Sequence, residues 1–205
     1  MVEAARVSNF KNNRRSVLNS SLSHVALLVP SVENSAEFLK LREIESERPE
    51  TFESEGTKEV YVGSYETQSG LLLLLEAISD GPYKRALLKR GASLHHIAID
   101  VLNLETFSQE AQRLGWKLHP VSKETMAYQT AWFFLKGVPT LIEVHQKRSL
   151  SQKAPKVTSL ELPIHSDHKP LFEGIGLGEV VVRGESVVVT IDGHKLSFDQ
   201  IACLK

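Results

Sequence analysis

One relation constrains this chain more than any other: it repeats. Sliding the sequence by 72 places lays 24-HVALLVPSVE-33 on 96-HIAIDVLNLE-105. The overlay has four identities (His24/His96, Ala26/Ala98, Val29/Val101, Glu33/Glu105) and three apolar matches in ten positions. Both copies lie where a short apolar strand runs into a helical pattern, so the match is one of context as well as of letters. A chain that carries one supersecondary unit twice folds as two related halves whose equivalent strands meet.

The wider pattern follows the same division. In the first half, 22-LSHVALLV-29 reads as a buried strand and 33-ENSAEFLKL-41 has helical spacing. The charged stretch 42–58 reads as a loop with some strand in it. The strands 59-EVYVGSY-65 and 71-LLLLLEA-77 follow, split by the turn-like 66-ETQSG-70. A short basic helix, 82-PYKRALLKR-90, starts on Pro82 and stops at Gly91. The second half restarts with strand 94-LHHIAIDV-101 and helix 104-LETFSQEAQRLG-115, then strands 116-WKLHPVS-122, 130-TAWFFLK-136 and 140-TLIEVHQ-146. Each half is thus strand, helix, strand, strand, strand.

The bulk properties exclude several classes of function. A formal net charge of -1 gives no basic field for nucleic acid or an anionic membrane. The apolar run 71-LLLLL-75 is too short to cross a bilayer. A single cysteine, Cys203, cannot close an internal disulfide, so the expected compartment is reducing, the cytoplasm. Residues 1–20 read as a polar tail without the apolar segment of a secretory signal.

Within the repeat, the residues with chemistry are the histidines. Strand alternation puts His96 on one face with Ala98 and Asp100, and His95 on the core face with Ile97, Ile99 and Val101. A lone strand-end histidine is usually structural. Two at equivalent places in a duplicated unit converge, and converging neutral imidazoles are common metal ligands. Overlaying 71-LLLLLEA-77 on 141-LIEVHQK-147 sets Glu143 against Leu73.

These residues carry a family resemblance. From about 21 to 147 the chain resembles the vicinal oxygen chelate superfamily, which holds glyoxalase I, extradiol dioxygenases, fosfomycin- and bleomycin-resistance proteins and methylmalonyl-CoA epimerase. The last is the nearest in pattern, through 23-SHVALLVPSVENSAEFL-39, 94-LHHIAIDV-101, 141-LIEVHQ-146 and the order of 73-LLLEAISDGPYKRALLKRGASLHHIAI-99. The resemblance implies an α+β fold: paired βαβββ modules, 21–91 and 92–149, forming an open curved sheet around a divalent metal. It implies His24, His96 and Glu143 as ligands and places the fourth ligand at Leu73, which cannot bind a metal. Glu76 lies three residues on and, by alternation, points to the opposite face. The ion is one of Co, Mn, Zn or Fe, or the site is empty because of Leu73.

Three functions are compatible with that set. The first is an epimerase-like enzyme that moves a proton at a metal-stabilised enolate of an acyl-CoA-like substrate. In it Glu59 serves as base, Glu143 as the carboxylate on the other side, and Tyr61, Leu73 and His145 as substrate contacts. Lys84 and Arg85, with Lys89 and Arg90, either meet phosphate groups or form the wet face of a helix. The second is an Fe(II) extradiol-type dioxygenase or a glyoxalase-like lyase, since two histidines and one carboxylate form the facial triad of non-haem iron oxygenases. The third is a member that binds a small ligand without turning it over. The expected partner throughout is a small molecule, with module pairing either inside one chain or across a homodimer.

Residues 150–205 form a C-terminal β-rich extension beyond the two modules. After the linker 151-SQKAPK-156 the order is again strand (157–164), helix (169–178), then three strands with hairpin signals at Gly184-Glu185 and Asp192-Gly193. It is either a partial third βαβββ module or an annex packed on the main sheet. Its histidines, His165, His168 and His194, read as surface residues.

Overall fold

The computed structural model describes residues 18–204. The expectations for residues 1–17 therefore lie outside the described residues. The first half consists of β1 (Ser20–Leu28), α1 (Val32–Lys40), β2 (Glu50–Phe52), β3 (Thr57–Val62) and β4 (Leu71–Ala77). Helix α2 (Pro82–Arg90) links it to the second half. That half contains β5 (Ser93–Val101), α3 (Leu104–Arg113), β6 (Lys117–Leu118), α4 (Ser122–Thr125), β7 (Thr130–Phe134) and β8 (Leu141–Gln146).

The eight strands form one open sheet in the order β2-β3-β4-β1-β5-β8-β7-β6. The order is the same read from either edge. Strands β1 and β5 pair antiparallel at its centre, and each pairs parallel with the last strand of its own half, β1 with β4 and β5 with β8. The duplication extends to the helix starts. The Ser31 hydroxyl accepts from Asn34 N–H at the head of α1, and the Asn103 side chain accepts from Thr106 N–H at the head of α3. These two caps are themselves 72 residues apart, and each satisfies a helix-end donor that would otherwise lack a partner.

One expectation fails in the second half. The stretch 116–122 pairs only over Lys117–Leu118; beyond it the chain turns at Pro120 into α4. The Ser122 hydroxyl bonds both the N–H and the C=O of Trp132, taking over the ladder's role with a side chain.

The extension is ordered as β9 (Val157–Leu162), α5 (Lys169–Gly174), β10 (Val181–Arg183), β11 (Val188–Ile191), β12 (His194–Ser197) and α6 (Phe198–Ile201). The chain order is βαβββ, as read from the sequence. The sheet order is β10-β9-β11-β12, with the first strand inside the sheet. In the two main modules the first strand lies outside the last. The extension is thus not a third copy of the module. It packs on the helix side of the main sheet: Phe172, Leu160 and Val189 share one core with Val25, Leu27, Ile97 and Ile99. Trp116 meets Phe172 edge-to-face, with ring centroids 5.4 Å apart. His165 and His194 are exposed and His168 is half-buried.

The other face of the main sheet has a smaller apolar cluster of Ala26, Leu28, Leu73, Leu75 and Ala77, against which Tyr61 and the α2 residues Tyr83, Ala86 and Leu87 pack. This is the face that carries the candidate site.

Candidate metal centre

Two β-bulges shape the centre. On β1, Leu22 pairs with Ile99 and His24 with Ala98, which leaves Ser23 as an extra residue. On β5, Leu94 pairs with Leu27 and His96 with Ala26, which leaves His95 as the extra residue. The two bulges are related by the same 72-residue shift as the sequences. Each lets the strand keep its leucine in the core and still turn the following histidine to the site face. This corrects the assignment of His95 to the core face. A bulge breaks the period of two, so His95 points to the site side, where its ring lies 4.8 Å from that of Tyr83 on α2.

The bulges bring His24 and His96 together diagonally across the central strand pair, with Ala26 and Ala98 at the other two corners. The small side chains leave space above the sheet. The histidine Nε2 atoms stand 3.0 Å apart. Glu143 on β8 lies beside Ala98, and its Oε2 is 3.3 Å from His96 Nε2 and 3.8 Å from His24 Nε2. Two donors each ~2.1 Å from an ion stand ~3.0 Å apart at a right angle and ~3.4 Å apart at the tetrahedral angle. The three donors, all within 4.8 Å of one another, fit a divalent ion.

Electrostatics agree with the geometry. Burial lowers the pKa of His24 to about 3, with the His145 and Lys147 charges adding to the effect. Burial, then the neighbouring His24, His95 and His145, holds His96 well below the ordinary imidazole value. Both are therefore neutral at pH 7, the form that ligates. The outer nitrogens also have partners. His24 Nδ1 lies 3.3 Å from the Tyr65 hydroxyl and 3.4 Å from that of Ser23, and His96 Nδ1 lies 2.8 Å from His95 Nδ1. Trp132, opposite Glu143 in the ladder, sets its ring edge-on to His96 with centroids 5.1 Å apart.

His145 shares the site face with Glu143, as alternation implies. Its Nε2 is 3.2 Å from Glu143 Oε1, and its Nδ1 is 3.6 Å from Asp100 Oδ1. Burial alone would lower its pKa; the two carboxylates outweigh burial and raise it to about 9. Leu73 sits beside Ala26 in the register that Glu143 holds beside Ala98, so the position that the family resemblance gives to a fourth ligand is apolar. Glu76 accepts from the Val32 N–H at the start of α1, on the opposite face, and is not a substitute. Glu59 and Tyr61 lie on the site face of β3, across from Leu75 and Leu73. The Glu59 carboxyl is buried and accepts from the Thr57 hydroxyl at 2.7 Å. Burial raises its pKa; that hydrogen bond opposes the shift, and the charges of Glu55, Glu143 and Glu50 add to it. On α2, Lys84 is half-buried and Arg85 exposed.

Comparison with solved structures returns a hypothetical protein of Bacillus halodurans, 26% identical, TM-score 0.49, matching 66% of this chain and 99% of that chain. It also returns a methylmalonyl-CoA epimerase in complex with methylmalonyl-CoA and ammonium, 17% identical, TM-score 0.49, matching 66% of this chain and all of that chain. A third is the methylmalonyl-CoA epimerase of Mycobacterium tuberculosis, 17% identical, TM-score 0.46, matching 69% of this chain and 96% of that chain. No family model matches the sequence, and no curated protein does. The strand order itself decides the fold. It is the vicinal oxygen chelate fold. Within it, His95, Tyr65, Ser23 and Trp132 are neighbours of the centre that sequence reasoning missed. The doublet 95-HH-96 was the one visible signal, and strict alternation concealed it.

No helix among the described residues is long and apolar enough to cross a membrane.

Proposed function

We propose that this vicinal oxygen chelate chain is a divalent-metal-dependent enzyme that moves a proton at a carbon beside a carbonyl group, on an acyl-CoA-like substrate. The observation that supports the reading is a pairing on one face: a cluster of three donor atoms that could hold a metal ion, and a buried carboxyl, Glu59, whose burial favours its protonated form. A general base works best when its pKa approaches the working pH, and burial moves Glu59 in that direction.

His24, His96 and Glu143 hold the ion, which, when bound, supplies Lewis-acid polarisation of the substrate's carbonyl oxygen. Glu59 takes and returns the proton on one side, and Glu143 is the carboxylate on the other. Tyr61 and Leu73 form the apolar wall next to the reacting carbon and keep water from it. His145, cationic beside Glu143, meets a substrate oxygen. Lys84 and Arg85 at the rim meet phosphate groups. The test is deuterium wash-in at the α-carbon of a panel of acyl-CoAs in D₂O, with and without added Co²⁺ or Mn²⁺. Metal-dependent exchange that is lost in Glu59→Gln supports the reading, and no exchange across the panel removes it.

A second reading follows from the donor count. Two histidines and one carboxylate form the set that suits Fe(II) in oxygenases. Oxygen consumption with Fe(II) and catechols, absent with acyl-CoAs, favours it. Leu73 at the fourth place favours a third reading, a binder without turnover. Such a chain is stabilised thermally by its ligand and performs neither reaction.

A further inference from the structure

His95 is buried beside the centre, yet the proton-transfer reading gives it no task. We infer that His95 is a positioning residue for the metal: as the bulged residue of β5, it accepts the Nδ1 proton of His96 and fixes the nitrogen that His96 turns to the ion. The inference rests on the metal-site reading above.

The hydrogen bond dictates the tautomers. His96 Nε2 faces His24 Nε2 and Glu143 Oε2 and needs a free lone pair to ligate. The His96 proton is then on Nδ1, and its partner at 2.8 Å, His95 Nδ1, is the acceptor. His95 therefore carries its own proton on Nε2. A ligand histidine whose other nitrogen has a fixed acceptor is held in one tautomer and one ring orientation, and loss of such a partner typically costs 10- to 100-fold in metal affinity.

The fold places His95 for this task. The bulge, a local break in the ladder, turns it out of the core. Tyr83 then covers its ring from α2. The equivalent bulge on β1 puts Ser23 at the corresponding place, 3.4 Å from His24 Nδ1. Both ligand histidines thus follow a bulged residue that reaches their outer nitrogen. The His95 contact is the shorter, and its acceptor is a ring held by packing rather than a rotating hydroxyl.

The experiment is calorimetric titration of Co²⁺ into the full chain, with the visible spectrum of the bound ion recorded. The variants are His95→Phe, which keeps a ring against Tyr83 without an acceptor, and His95→Asn, whose amide oxygen replaces Nδ1. His95→Phe is expected to weaken Co²⁺ binding about 10- to 100-fold and to change the spectrum, and His95→Asn to stay within about threefold of the parent. Parent-like affinity in His95→Phe, with only the metal-free melting temperature lowered, would make His95 a packing residue and overturn the inference. Equal weakening in both variants overturns it too, because shape rather than the acceptor then matters. A parent chain that binds no Co²⁺ overturns the metal-site reading along with it. On the unmutated, zinc-loaded protein, nitrogen-15 imidazole spectra supply a test that no folding defect can blur. A proton on His95 Nε2 and on His96 Nδ1 is expected, and a proton on His95 Nδ1 refutes the arrangement.

Discussion

The two halves share a backbone and differ in chemistry. At the centre they match: His24 with His96, Ala26 with Ala98, one bulge each. One strand outward they diverge. Strand β4 presents Leu71, Leu73 and Leu75 where β8 presents Leu141, Glu143 and His145, and Leu28 of β1 stands where β5 has Asp100. Strand β4 is therefore an apolar wall covered by α2, and β8 is a charged wall that carries Glu143, the carboxylate of the candidate metal cluster. The difference teaches that symmetry and asymmetry have separate tasks here. Paired imidazoles need the symmetry in order to converge. The asymmetry sets the three donor atoms of the candidate metal cluster toward β8 and leaves the β4 side apolar.

The largest effect is expected where the apolar wall is broken. Leu75 is fully buried, and Leu75→Ala should cost about 2–5 kcal/mol in urea denaturation, whereas His145→Ala at the matching, half-exposed place should cost about 1 kcal/mol. Breaking the shared centre comes next. His96→Ala removes one of three donors and should weaken metal binding by more than about 100-fold, beyond the usual effect of losing an outer partner. Mass spectrometry of chain purified without chelators should then find no ion. Restoring symmetry sharpens the comparison. Leu73→Glu places a carboxylate opposite Glu143, so the metal-free variant should lose about 1–3 kcal/mol from an unpaired buried charge. Its affinity for Mn²⁺ should rise about tenfold, equivalent to about 1.4 kcal/mol, with thermal melts and calorimetry as the checks.

The last expectation is the pH dependence. The folded pKa of Glu59 is raised above its unfolded value, so the folded state binds more protons between the two. Stability from this group is present below the unfolded value, about 4.5, and is lost as pH rises through the folded value. Glu59→Gln should therefore be more stable than the parent at pH 8 and lose that advantage by pH 4. The buried histidines act in the opposite sense. The pKa values of His24 and His95 are lowered from 6.5 to about 3 and about 4, so the unfolded chain takes up protons first as pH falls below 6.5. Urea midpoints of the metal-free chain should fall from that pH downward.

The sequence by itself determined the duplication, the module order, the equivalence of His24 and His96, and the apolar place at Leu73. All of these are local patterns or their repetition at a fixed offset, and the first ladder around Ala26 and Ala98 bears them out. Glu59 and Tyr61 on one face were legible too, because β3 has an unbroken period of two. Only the tertiary structure decided where His95 points. A bulge is a mismatch between two strands, and neither strand's own sequence records it. The same holds for Tyr65 and Trp132 beside His24 and His96, and for Asp100 beside His145: these contacts join separate strands and loops. His145 beside Glu143 was legible, because both belong to one strand with a period of two. The extension makes the point most fully. Its βαβββ order was readable, but the place of β9 inside its sheet and the seat of that sheet against β1 and β5 were not, because both are contacts between segments far apart in the chain.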